Sequence, residues 1–119
     1  MRYNLPMKII TETLSLVELK QIAAATFGNL VKAVVDVDRE IIAVDAELHS
    51  DLEALLLKDG SKQKGLWGIN LYPETQGENF VEFDSMINMR PSLGNRSRGI
   101  ENEEMRKKII AIVAKRIKQ

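Results

Sequence analysis

The chain has 119 residues, 45% of them hydrophobic and 29% charged, with 17 lysines and arginines set against 17 aspartates and glutamates. That composition excludes a disordered or membrane-embedded chain, and a zero formal net charge removes the long-range attraction that nucleic acid or anionic lipid would need. A chain of this length buries roughly two-thirds of the surface its unfolded form exposes, so one domain spanning 1–119 with one core is expected.

The absence of cysteine removes disulfides, thiolate nucleophiles and cysteine-type zinc sites together, and agrees with a reducing compartment. No apolar run approaches the roughly 18 residues that span a bilayer, and Met1–Pro6 lacks the pattern of a signal peptide, so no membrane and a cytoplasmic location are expected. No cofactor is implied, and any metal would have to rest on His49 with carboxylates. Acids dominate from Asp36 to Asp59 and bases from Arg90 onward, two poles that could serve self-association.

A short strand at Met7–Ile10 leads to Ser15-Leu16-Val17-Glu18, a capping-box pattern whose serine and glutamate satisfy free amides of a first helical turn. Leu16, Leu19, Ile22, Ala23, Thr26 and Phe27 then recur at helical spacing, and Gly28 stops the helix. Leu30 to Val37 and Glu40 to Leu48 alternate as the strands of a hairpin, although the turn at Asp38-Arg39 lacks the usual glycine. Ser50 to Glu53 forms a second capping box, opening a short helix through Leu52, Leu55 and Leu56 that ends at Asp59-Gly60. Leu66 to Tyr72 and a long strand from Phe80 to Arg90 make a second hairpin. After the loop Pro91–Gly99, Asn102 caps a last helix with the apolar stripe Met105, Ile109, Ile112, Val113 and Ile117. The expectation is an α+β domain: a mainly antiparallel sheet of two hairpins plus the N-terminal strand, with three helices packed on one face. Trp67, Ile69, Phe83 and Ile87 should face those helices.

On that arrangement Lys32, Asp36, Asp45, Glu47, Asn70, Tyr72, Glu82, Asp84, Asn88 and Arg90 collect on the opposite sheet face, either as its solvated side or as a binding surface. Within it, Asp45, Glu47 and His49 share one side of a strand. The ends of that trio lie roughly 13 Å apart, too far to share a metal, so a site would need Glu47 and His49 with a third donor such as Asp84. This supports a metal-assisted hydrolase; the plainer alternative makes His49 and Ser50 the entry to the second helix and gives Glu53 to its cap. No serine, threonine or lysine carries a nucleophile motif, so no triad can be assigned.

Arg90, Asn95, Arg96, Ser97 and Arg98 lie in one glycine-containing loop just before a helix, with guanidinium forks and small polar groups suited to phosphate or carboxylate. Against this, Glu103 and Glu104 already complement the helix dipole there. Asp59–Gly65 lacks the order of a phosphate loop. Aromatic residues are few and some point to the core, so a nucleic-acid platform is not favoured.

Glu47–Leu57, Asp59-Gly60-Ser61, Leu66–Pro73 and Gly94-Asn95-Arg96-Ser97 together resemble a family of short prokaryotic proteins of unknown function, over nearly the whole chain. The resemblance implies a free-standing bacterial or archaeal protein and names no catalytic residue. The residues themselves favour a non-enzymatic binding protein that recognises an anionic small molecule or partner through the 90–99 loop. A metal-assisted hydrolase using Glu47, His49 and Asp84, and a structural homo-oligomer, stand as alternatives.

Overall fold

In the computed structural model the described residues are 7–119; Met1–Pro6, considered above as a possible targeting segment, lies outside the described residues. Three helices and a five-stranded antiparallel sheet make the α+β fold expected. The sheet order is β1 (Lys8–Ile10), β4 (Ile41–Val44), β3 (Val31–Asp36), β5 (Leu66–Leu71) and β6 (Val81–Glu82). Val35 opposes Ile42 on one side and Trp67 on the other, which fixes the register of the three central strands. A separate parallel pair joins β2 (Leu14–Ser15) to β7 (Ile117–Lys118), fastening the end of α3 (Glu103–Arg116) beside the start of α1 (Leu16–Ala25). Among the described residues no helix is long and apolar enough to cross a membrane.

The local signals at the ends of α1 and α3 act as expected. The Ser15 hydroxyl accepts the Glu18 amide while the Glu18 carboxylate accepts the Ser15 amide, both at 3.1 Å. The Asn102 carboxamide accepts the Met105 amide at 2.9 Å. The glycine-free turn between β3 and β4 is held by the Asp36 carboxylate, which accepts the Asp38 and Arg39 amides at 2.9 and 3.0 Å. Glu40 supplies the left-handed residue at φ 56° that a glycine would usually provide.

The helices do not share one face. Leu19 and Ile22 of α1 with Ile109, Ile112 and Val113 of α3 pack on Val35, Ile42, Val44 and Ile69. On the other side, Leu52 and Leu56 of α2 (His49–Lys58) pack on Val34, Ile41, Ala43 and Leu66. Trp67, Ile69 and Phe83 face the first layer, and Ile87 lies in the second. The physical reason is in the strands themselves: every residue of Ile41–Val44 is buried, so both sheet faces carry apolar surface that must be covered. The face expected to be polar is therefore partly interior, with Asp36, Asp45, Asn70 and Asn88 buried, Lys32, Tyr72, Asp84 and Arg90 half-buried, and Glu47 and Glu82 exposed.

Two strands are shorter than expected. The first hairpin's second strand ends at Val44, and Asp45 turns away at φ 74°. In place of a strand over Phe80–Arg90, only Val81–Glu82 pairs with β5, and Met86–Asn88 forms a 3-10 turn. The second capping box does not form: α2 starts at His49, and its N-cap is Leu48, with no side-chain cap.

If α2 seals a second core, Leu56→Ala should cost about 2–5 kcal/mol in urea unfolding, as a large buried side chain does. Its exposed neighbour Leu57 should change stability by no more than roughly 0.5 kcal/mol when made alanine. Equal effects of the two substitutions would place α2 differently.

Candidate functional site

The segment that follows β6 builds the site, and two buried asparagines shape it. Asn88 is wholly buried, and its carboxamide pairs with the backbone of Gly68: Oδ1 accepts the Gly68 amide at 2.8 Å and Nδ2 donates to the Gly68 carbonyl at 2.9 Å. A side chain thus completes the edge of β5 where the expected strand is missing. A Cβ at Gly68 would lie 2.5 Å from the Ser85 Cβ, so only glycine permits this approach.

Farther on, Arg90 and Asn95 exchange backbone hydrogen bonds across the turn Pro91–Leu93, with Gly94 left-handed at φ 81°. The Asn95 side-chain Nδ2 donates to the carbonyls of Asn88, Ser97 and Gly99, and its Oδ1 accepts the Glu101 amide at 2.9 Å. Asn95, expected to assist anion binding, is the tie that gives the loop its shape.

The arginines of the loop part ways. The Arg98 Nε donates to Asp84 at 2.7 Å in a half-exposed pair, which contributes little on its own. Arg96 is exposed, and its backbone amide donates to Glu101 at 2.7 Å. Ser97 is exposed. Arg90 turns inward and meets Glu53 of α2 at 3.0 Å, the two side chains only 11% and 15% exposed. Its guanidinium carbon lies 5.2 Å from the centre of the Trp67 ring, within cation–π range. Burial pulls the Arg90 pKa down and Glu53 acts against that, leaving a desolvated cation, since arginine keeps its proton in proteins.

Trp67 and the loop enclose a pocket of about 430 Å³, walled by Trp67, Leu93, Gly94, Asn95, Ile100 and Met105, with Glu101 and Asn102 also lining it. Two buried donors, the Nε1 of the pocket-lining Trp67 and the Nη1 of Arg90, have no hydrogen-bond partner among the described residues. Trp67 and Glu53 were missed as site residues. The tryptophan reads as core because of its parity, and the glutamate reads as a cap because it follows Ser50 by three.

Glu47, His49 and Asp84 do not assemble into a metal site. His49 lies in the first turn of α2, its Nε2 2.8 Å from the Ile69 carbonyl oxygen, which makes it the protonated nitrogen of a neutral ring. Glu47 is exposed and Asp84 pairs with Arg98. Among the described residues no group of three histidines or carboxylates could hold a metal ion. Nearby, Asn70 and Tyr72 both donate to Glu82, at 2.8 and 2.9 Å. Burial, followed by Glu82, raises the Tyr72 pKa.

Two expectations follow. Arg90→Ala and Glu53→Ala should each cost about 3–5 kcal/mol by leaving the other charge buried, and the double variant should cost clearly less than their sum. Additive losses in denaturant melts would show that the pair is not coupled. Burial also lowers the His49 pKa below its unfolded value, so the unfolded chain binds the proton more readily. The stability from neutral His49 is complete above the unfolded pKa of about 6.5 and falls as pH drops through the lowered folded pKa. His49→Gln should flatten that part of a stability–pH profile, and an unchanged slope would exclude His49 as its source.

Neither a curated protein nor a solved structure matches this chain. One family model does, over residues 8–116, and its description is a protein of unknown function, DUF5674. With nearly all of the described residues matched, the chain belongs to the DUF5674 family.

Proposed function

We propose that this protein is a non-enzymatic binding protein that seats a small molecule with an apolar body and a carboxylate or phosphate group in the pocket beside Trp67. The observation that carries the reading is the pocket wall at Trp67, whose buried Nε1 has no hydrogen-bond partner among the described residues and whose ring carries the Arg90 guanidinium against it. A buried donor without an acceptor costs on the order of 1–3 kcal/mol, and a ligand oxygen bonded to it would recover that loss. Leu93, Ile100 and Met105 favour an apolar body. Because Glu53 already balances Arg90 and Glu101 lines the wall, a singly charged acid fits better than a polyanion. A chain without cysteine suits a reducing compartment, and we take the cytoplasm as its place of action.

Trp67 is the sole tryptophan, so its fluorescence reports the site directly. Benzoate and phenyl phosphate should produce saturable changes, and benzyl alcohol a weaker one. Arg90→Lys, which keeps the charge but loses the fork, should reduce benzoate affinity about tenfold, one charged hydrogen bond's worth. No saturable change with any of the three probes would overturn the proposal.

A further inference from the structure

We infer that the exposed face of α3 around Ile110 is an interface between two copies of this chain, paired about a two-fold axis with their α3 helices antiparallel. Ile110 is 41% exposed in the middle of a 14-residue helix whose Ile109, Ile112 and Val113 are buried. It stands between two grooves. One, of about 510 Å³, is lined by Phe80, Val81 and Ile117, and the other, of about 440 Å³, by Phe83 and Ala111. Ile110 and Ala114 border both grooves.

A ridge with a groove beside it is complementary to a copy of itself turned by half a revolution. Ile110 of each copy enters the groove beside Ala114 of the other, and the small alanines allow the helix axes to approach to roughly 8–10 Å. Charge selects the same occupant. The second groove is rimmed by Glu78 and Glu103 with Arg106 and Lys107, two of each sign, so the face does not repel itself. Antiparallel pairing brings the first turn of one α3, with Glu103 and Glu104, alongside the last turn of the other, with Lys115 and Arg116, so opposite charges meet at both ends. A polyanionic partner would find no field of one sign here, and the chain's zero formal net charge leaves self-association unopposed. Antiparallel packing also sets the two helix dipoles head to tail.

Sedimentation equilibrium from micromolar to hundreds of micromolar protein tests the inference. The parent should fit a monomer–dimer equilibrium, and Ile110→Glu should weaken it about thirtyfold or more, as loss of a central apolar anchor does, with an unchanged circular dichroism spectrum. The cysteine-free chain permits a geometric check: Ile110→Cys lies near the axis and should form a disulfide-linked dimer on oxidation. Val17→Cys, on the exposed surface of α1, should not. A parent that is monomeric throughout, an Ile110→Glu variant that dimerises as the parent does, or equal crosslinking at positions 17 and 110 would each overturn the inference.

Discussion

The Asn88 carboxamide, laid against the backbone of Gly68, is the contact on which the rest of this end of the molecule depends. By meeting both polar groups of a strand residue, it ends the sheet without leaving an open edge there and frees the chain from strand geometry. The same Nδ2 also donates to the Arg98 carbonyl at 3.0 Å, drawing the far side of the loop back to β5. Asn95 then closes the loop from within, and Arg90, two residues past Asn88, is left with the Trp67 face and Glu53 as its neighbours. The pocket wall follows from hydrogen bonds of two amides and from a glycine that no side chain could replace.

Arg90 and Glu53 are a nearly dry ion pair, and such pairs are poor evidence for stability, because desolvation offsets most of the attraction. An apolar pair of similar size would hold α2 against the loop as well or better. What an apolar pair would lack is a donor left over beside the indole ring. That surplus donor is one support for the binding role proposed above.

The fold was legible in the sequence where the signal is local. Ser15 and Glu18 announce one helix start, Asn102 another, and the alternation of β3 predicts its hairpin with β4. That alternation points to helices on one face only, whereas the runs Ala33-Val34-Val35 and Ile41-Ile42-Ala43-Val44 point to cover on both. An unbroken apolar run marks a strand covered on both faces. Phe80–Arg90 misled because its residues favour a strand, whereas its path is set by Asn88 reaching a backbone distant in sequence. Of the proposed anion-binding residues, Asn95 lines the pocket and Arg90 lies against the Trp67 ring. Their roles could not be separated beforehand, because one is fixed by Glu53 and the other by carbonyls of its own loop.

The two layers on either side of the sheet also differ in how far along the chain they reach. The α2 layer draws its side chains from Ile9 to Ile87, and most of it from the stretch between Val34 and Leu66. The α1–α3 layer joins Leu14 and Leu19 to Ile109, Val113 and Ile117, and is clasped by the β2–β7 pair. Closing the longer loop removes more chain entropy before any contact compensates for it. A growing chain can therefore assemble β3, β4 and α2 while the opposite side of the same strands, with Val35, Ile42 and Val44, has only α1 to cover it. Until α3 arrives, the nascent domain is a half-covered sheet whose most apolar surface faces outward, and its hazard is premature association through that surface.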